Sequence, residues 1–548
     1  MKKQLSMLAI LVGASLNAQA AQSSFFTIVD DEVKGYASVI SADGSGLIGI
    51  NTKNQQAEYF STVHFADFLV DRFRFEQGCF LSSSVCDAFW DDNAGFAYQW
   101  RRDFLDNVDQ RSNVGYVVSS EADGLVTALG DTTADRVGYK MDGKLRTAFA
   151  IVNDGNAVDL KDAASTHGLS IPTAIKKLDN GQYLVTGAAA SDKYRHKVGG
   201  DFYKWCFEGN DSEYGDSRYC PGVDTQASFW LLNSSGALNT LIQAGDYAHQ
   251  RDEVLQTASA LGAAEYNGTL YGVGYSSSGE VGSGDLDGRN IASYWTLDLS
   301  AGTVGATKII PLPEGEPGKD DAKLQHSWAV AVNDNGYVIG NQRYRLNKGQ
   351  NRPVEMFLFN LNTPTTSAVV PLQDNPLSGS GSEAAAINDH NMVVGWRDSR
   401  HQTQPVVNGT NRMQEAFLLN AAAPANSWYL NDLICGTDDA GNKQCAQNGY
   451  YYHIAYASGI SSDGTIAATA YRYNSESELN NRSNATVVAV KLKPAVADYQ
   501  GNTPASYVVS NAPLNNQTGQ DGDGGGGGSL FWLTLLALPF AWLRRYQR

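Results

Sequence analysis

The sequence predicts an all-β chain: a β-propeller-like repeat of about seven small antiparallel sheets, with loop insertions and a C-terminal transmembrane helix. Three observations predict it. One phrase recurs, clearest as "AVAVNDNGYVIGN" from Ala329 and "AAAINDHNMVVGW" from Ala384: an apolar strand, a turn of Asn, Asp and Gly, then a second apolar strand. A second apolar phrase, such as "MFLFNLN" from Met356, follows each hairpin after a variable gap. The first strands are also apolar on both alternating faces, as Ala329 to Val332 are, so each needs cover above and below. Small sheets stacked face to face around an axis supply that cover. A pair of β-sandwiches and an open β-solenoid are the alternatives. The uneven spacing of the hairpin aspartates, Asp334, Asp389 and Asp463, argues against the solenoid.

Taken in order, residues 1–20 read as a secretory signal. Lys2 and Lys3 precede an apolar stretch from Leu5 to Leu16, and Ala18-Gln19-Ala20 places small residues at a cleavage site after Ala20. Residues 21–494 form the repeat body. Hairpins are expected from Ala37, Tyr116, Pro172, Gly262, Ala329, Ala384 and Ala457, because Asn-Gly and Asp-Gly turns supply the positive φ angles of tight hairpins. Outer strands are expected from Thr147, Ser228, Ser293, Met356, Ala416 and Val487. Insertions beginning at Cys79 and Lys204 set aromatics among acids, and Trp90, Trp100, Trp205 and Trp396 read as loop-borne rings able to stack on sugars or peptides, or as cores of the insertions. Residues 495–528 are rich in Asn, Gln, Pro and Gly and read as a flexible linker. Residues 529–548 read as a transmembrane segment with an Arg-rich end. Its apolar run from Ser529 to Leu543 is short of the roughly 20 residues of a comfortable span, so insertion calls on bilayer thinning and on snorkelling by Arg544 and Arg545, which stay cytoplasmic.

Charge narrows the partners. The chain carries 41 Lys and Arg against 58 Asp and Glu, a net of −17. Losing Lys2, Lys3, Arg544, Arg545 and Arg548 takes the exported part to about −22. Such a surface repels nucleic acid and anionic membranes. The six cysteines fall into three local pairs, Cys79/Cys86, Cys206/Cys220 and Cys435/Cys445, which an oxidising compartment would convert to disulfides. Spacing leaves the connectivity open. A metal site is the rival reading, without a CxxC to support it.

Chemical motifs are sparse. Gly215-Asp216-Ser217 and Gly274-Tyr275-Ser276 each give part of a nucleophile setting, and neither completes Gly-x-Ser-x-Gly. The eight histidines are scattered, with no HExxH. Acid pairs at Asp91/Asp92, Asp320/Asp321 and Asp438/Asp439 read as solvated loops, or as carboxylates that several blades bring together for glycosidase-like work. Calcium is the one cofactor suggested. "GSGDLDGRN" places Asp285 and Asp287 before Gly288, with Asn290 beyond, although Thr296 stands where a calcium loop would put its closing acid. A plain Asp-Gly turn is the alternative.

Two stretches carry family resemblances. The hairpin and outer-strand phrases resemble the HAF-type repeats of extracellular bacterial proteins. The ending, with Gly524, Gly525, Gly526, Gly527 and Gly528 before the apolar run and then Arg544 and Arg545, resembles the GlyGly-CTERM sorting signal of Gram-negative bacteria. That resemblance implies a sorting protease of the rhomboid type cutting near the glycines, and passage through type II secretion machinery. Permanent anchoring in the inner membrane, facing the periplasm, is the alternative. Body and tail together resemble an uncharacterised family of secreted Gram-negative proteins. Two functions are therefore expected of the chain: binding an unknown surface ligand, or hydrolysis at an acidic site in the propeller mouth.

Overall fold

A turn such as Asn333-Asp334-Asn335-Gly336 cannot continue a strand. The Asn333 carbonyl accepts the Gly336 N–H at 3.0 Å, its Oδ1 accepts the Tyr337 N–H at 2.9 Å, and Gly336 takes φ +78°. Each such turn folds two apolar strands into a hairpin. The computed structural model describes residues 21–52, 108–112, 124–142, 145–161, 170–193, 224–250, 256–277, 290–317, 323–344, 354–372, 381–400 and 414–495.

Among these residues the hairpins seed seven blades, each an antiparallel sheet running from an inner strand outwards. After β1 (Phe26–Lys34) comes blade 1, with β2 (Tyr36–Ile40), β3 (Leu47–Thr52) and β4 (Val108–Ser112). Blade 2 holds β5 (Gly124–Leu129), β6 (Arg136–Asp142), β7 (Leu145–Ile151) and β8 (Val158–Leu160). Blade 3 holds β9 (Ser170–Lys177), β10 (Tyr183–Ala190), β11 (Thr225–Leu232) and β12 (Leu238–Gln243). Blade 4 holds β13 (Ala258–Tyr266), β14 (Thr269–Ser277) and β15 (Asn290–Asp298), edged by β16 (Thr303–Val304) and β17 (Lys308–Ile309). Blade 5 holds β18 (Leu324–Val332), β19 (Tyr337–Tyr344) and β20 (Val354–Asn360). Blade 6 holds β21 (Ser382–Ile387), β22 (Met392–Asp398), β23 (Gln414–Asn420) and β24 (Ser427–Tyr429). A short helix α1 (Leu430–Leu433) and a hairpin of β25 (Gly436–Thr437) and β26 (Lys443–Gln444) lead to blade 7. That blade holds β27 (Tyr451–Ile460), β28 (Ile466–Tyr473), helix α2 (Glu476–Asn481) and β29 (Thr486–Pro494).

Two relationships make the blades a closed ring. The inner strands touch in succession: β2 with β5, β5 with β9, β9 with β13, β13 with β18, β18 with β21, β21 with β27, and β27 with β2 again. The outer strand of blade 7 is β1, which pairs with β29 from Phe26 opposite Pro494 to Lys34 opposite Val488. The start of the body thus completes its last sheet. The pairing skips between Val29 and Val33, and this bulge brings Asp30 Oδ2 to Arg472 Nη1 at 2.7 Å and to the Tyr452 hydroxyl at 3.2 Å.

The two-faced strands pack as their sequence requires. Trp328 and Val330 of β18 join a cluster with Ala384, Val393 and Phe417 of blade 6. Ala329 and Val332 of the same strand join another with Ala264, Val273 and Ala292 of blade 4. Every residue of β10 is buried. At about 25 cal/mol per Å² of apolar surface, this blade-to-blade burial is the main stabilising term.

Every inner strand also carries a bulge, where a residue has no partner on the middle strand: Ser38, Thr127, Thr173, Leu261, Val330 and Ala385 in blades 1 to 6, with a second skip in blade 5 between Leu324 and His326, and two irregularities in blade 7. A glycine stands opposite in the first six blades, the "VG" and "IG" of the repeat, with "TG" at Gly187 in blade 3. At Gly274 an added Cβ would lie 1.9 Å from the Ser259 carbonyl oxygen. Two bulge hydroxyls reach the next blade, Thr127 Oγ1 to Pro172 O at 2.8 Å and Thr173 Oγ1 to Ala260 O at 2.6 Å.

The hairpin turns form one face, tied turn to turn. The Asn333 amide donates to Asn388 O at 3.0 Å, the Asn388 amide to Ser461 O at 3.0 Å, Ser462 N to Ala42 O at 2.8 Å, and Ala42 N to Gly130 O at 3.0 Å.

Two sequence expectations are corrected. Of the hairpin expected from Tyr116, residues 116–123 lie outside the described residues. Its expected second strand, from Gly124, is β5, the first strand of a hairpin with β6 whose turn runs through Thr132 to Asp135, closed by Gly130 N to Asp135 O at 2.7 Å. Trp396 is not loop-borne. It lies in β22, is 9% exposed and meets Tyr456 edge to face at 6.4 Å, because its phrase is a middle strand buried on both sides. The signal, the linker and the C-terminal segment lie outside the described residues, apart from Ala495. Among those described, no helix is long and apolar enough to cross a membrane.

Candidate functional site

In each blade the inner strand runs towards the turn face and the middle strand runs back. The connection from middle to third strand therefore leaves and re-enters at the opposite face. Six of these connections are long: Thr52 to Val108, Ala190 to Thr225, Ser277 to Asn290, Tyr344 to Val354, Asp398 to Gln414 and, carrying α2, Tyr473 to Thr486. All six belong to one face, here the loop face. Cys79, Cys86, Cys206, Cys220, Asp285, Asp287, Trp90, Trp100 and Trp205 fall in them and lie outside the described residues.

Beneath this face the ends of the strands turn polar while staying buried. In blade 5, Glu355 of β20 accepts from Gln342 Nε2 at 3.2 Å and from the Tyr344 hydroxyl. In blade 6, Glu415 of β23 holds the equivalent place. Its Oε2 accepts from Ser399 Oγ at 2.9 Å and the Arg400 N–H at 3.2 Å, and its Oε1 accepts from Asn431 Nδ2 at 3.2 Å. Arg400 forks onto Asp432, with Nη1 to Oδ2 at 2.6 Å and Nη2 to Oδ1 at 2.9 Å. The guanidinium carbons of Arg397 and Arg400 lie 4.7 Å and 4.1 Å from the Tyr429 ring centre.

Burial sets the electrostatics. It pushes the Tyr429 phenol well above its ordinary range, against the pull of Arg397. It pushes Arg397 down, opposed by Tyr429 and Glu415. Burial works on Arg400 as well, but the hydrogen bond it donates to Asp432 and the charge of Glu415 outweigh it and hold Arg400 above its usual value. Neutral Tyr429 and charged arginines are thus the working states near pH 7.

Of the calcium candidates, Asn290 opens β15 and is fully buried. Its N–H donates to His326 Nδ1 at 3.2 Å, and its side-chain amide has no partner. Among the described residues no three His, Cys, Asp or Glu side chains stand together to hold a metal. Cys435 and Cys445 form a disulfide, S–S 2.13 Å. It closes the β25–β26 hairpin, against which Gln22 pairs with Thr437 and Ala21 N reaches Asp439 Oδ1 at 3.2 Å. The Gly274-Tyr275-Ser276 stretch is strand: Gly274 faces the bulge, and the buried Ser276 Oγ accepts the Ala248 N–H at 2.9 Å. His453 Nε2 lies 2.8 Å from Gln414 O, and His249 Nε2 lies 3.0 Å from Glu316 Oε2.

Sequence reasoning missed the blade 6 cluster. The signal was there: charges inside otherwise apolar strand phrases, Arg397 in "MVVGWRDSR" and Glu415 in "MQEAFLLN". A charge in a strand covered on both faces needs a partner or a task.

Residues 103–546 match the family described as Protein of unknown function (DUF3466). No curated protein matches the sequence. Among solved structures the chain is similar to the β-propeller domain of the Trilobed protease from Pyrococcus furiosus, at TM-score 0.31 and 7% identity over 68% of this chain and 86% of that one. It is similar to Trypanosoma rangeli sialidase in complex with the inhibitor DANA, at TM-score 0.31 and 11% identity, with 69% of this chain and 55% of the sialidase covered. A protein of unknown function from Dyadobacter fermentans DSM 18053 gives TM-score 0.32 and 11% identity over 66% and 92%. Scores this low add nothing to what the strand pairing establishes, and the chain spans about half of the sialidase.

Proposed function

Starting from the fact that the chain belongs to the DUF3466 family, whose function is unknown, we propose that it is an exported seven-bladed propeller that works by binding a surface ligand through its loop face. The observation that carries this is the one-sided arrangement of the six long connections. Loops set on a rigid ring are where a propeller can vary its contacts without disturbing its blades. The connection between β3 and β4 alone brings Trp90 and Trp100 among acids, and the next long one brings Trp205. Binding is favoured over hydrolysis because most half-buried inner-strand side chains at and beside the bulges are small, namely Ser38, Thr127, Thr173, Ala263, Ala331 and Ala385, and Glu383 is the one carboxylate in that set.

Export is part of the proposal. Residues 1–20 would be removed, and the tail from Gly524 would be cut by a sorting protease before release through type II secretion machinery. The net charge of −17 suits a soluble acidic body and disfavours nucleic acid as the ligand. Fractionation of cells and medium with intact-mass analysis tests the export half. A soluble product lacking the residues after the glycines is expected, whereas a membrane product retaining Arg548 overturns it. The binding half is tested by screening the released protein against glycan and envelope-protein arrays, beside a variant in which residues 53–107 are replaced by a short turn. Equal binding by both, or by neither, counts against the loop face.

A further inference from the structure

Among the described residues, Arg397 is a buried cation without an acceptor on its Nε/Nη2 edge. It is 1% exposed, and neither its Nε nor its Nη2 has a hydrogen-bond partner. The hydroxyl of Tyr429, whose ring centre lies 4.7 Å from the Arg397 guanidinium carbon, is buried and equally unpartnered. Nε and Nη2 share one edge of the planar guanidinium, the edge that can take both oxygens of a carboxylate at once.

The nearby acids are committed elsewhere. Glu415 is held by Ser399, the Arg400 backbone and Asn431. Asp432 is held by Arg400, with Lys443 Nζ 3.5 Å from Oδ1. Asp398 Oδ2 accepts the Gly381 N–H at 2.8 Å. A guanidinium does not shed its proton to escape burial. Its one aromatic contact is worth about 0.5–2 kcal/mol, less than the several kcal/mol of desolvating an unpaired ion.

We propose that the Nε/Nη2 edge of Arg397, with the Tyr429 hydroxyl, is the receptor for a ligand carboxylate entering from the loop face. Arg397 is the next-to-last residue of β22, where the chain leaves the blade for the connection to Gln414, which places it at that face. The direction of approach rests on the loop-face reading above; the pairing itself does not. Carboxylates of this kind come from free organic acids or from acidic sugars.

The test uses the released protein, titrated with sodium acetate and with sodium glucuronate at constant ionic strength, by calorimetry and by thermal shift. Saturable one-to-one binding is expected. Arg397→Lys is expected to weaken it by about tenfold or more, since an ammonium cannot offer the fork, and Tyr429→Phe by several-fold. Arg397→Met, without the unpaired charge, is expected to bind neither acid and to melt no lower than the parent in their absence. Tighter binding of glucuronate assigns the site to an acidic sugar, and equal binding assigns it to the carboxylate alone. No saturable binding of either acid, or binding that Arg397→Lys and Tyr429→Phe leave unchanged, overturns the proposal. Acetate binding with a loop face that captures nothing would leave this site standing and remove the loop-face reading. Array binding indifferent to Arg397→Lys would do the reverse.

Discussion

A Cβ on Gly395 would stand 1.9 Å from the carbonyl oxygen of Glu383. The bulge in β21 turns that carbonyl towards the middle strand, so the glycine is a condition of the bulge. Gly395→Ala, like Gly274→Ala, has to displace backbone, and about 1–3 kcal/mol or more of stability is expected to go. Gly245→Ala, with nothing within 4 Å of its new methyl, should stay within about 0.5 kcal/mol of the parent. Denaturant titration of the three variants measures the difference.

Asp30 pins the closing strand. Its carboxylate takes Arg472 and the Tyr452 hydroxyl, and its side chain is 6% exposed. Asp30→Ala leaves Arg472 half-served and is expected to cost about 2–4 kcal/mol. Hydrogen exchange should quicken first in Phe26–Lys34 and Thr486–Pro494. Uniform quickening across all seven blades would show that this pair has no special part in closure.

The disulfide holds the hairpin that receives the start of the body. Cys435 and Cys445 are 10 residues apart, and a loop that short is worth about 2–3 kcal/mol in the denatured chain. Cys435→Ser is therefore expected to lower stability by that order and to raise protease sensitivity near Gln22. An unchanged cleavage pattern would sever the link between hairpin and N-terminal segment.

Acid should loosen the turn face. Burial raises the carboxyl of Asp463, but hydrogen bonds from Ser461 and Thr465 outweigh it and hold it below 3.8. Asp43, in the adjoining turn, is likewise raised by burial and brought lower by Ser41 and Ser45. A carboxyl depressed in the folded state adds stability above its unfolded value, and that stability drains away as pH falls through the folded value. Melting temperature should thus drop from about pH 4 downwards, and less steeply in Asp43→Asn and Asp463→Asn. Parallel curves for parent and variants would mean that these turns carry none of the acid sensitivity.

Much of the ring was legible in the chain because its signals are local. The Asn333 and Asn388 turns, and the runs around Trp230, Trp295 and Phe357, mark hairpins and third strands within a dozen residues. What escaped was long-range. Nothing in "FTIVDDEVK" says that its partner lies more than 450 residues away, since any apolar strand can pair with any other. The blade 2 turn between β5 and β6 went unread because Thr132 to Asp135 has no glycine to mark it. The blade 6 cluster was hidden because Arg397, Arg400 and Glu415 look like surface charges until their strands are seen to be covered.

The pairing of β1 with β29 sets a timetable. β1 is synthesised first and its partner last, so a chain threaded N-terminus first carries its opening strand unmatched until almost the whole body has followed. A ring of this kind cannot shut while part of it is still in transit. An interrupted passage leaves an open arc with a bare strand edge at each end, ready to pair with the wrong neighbour.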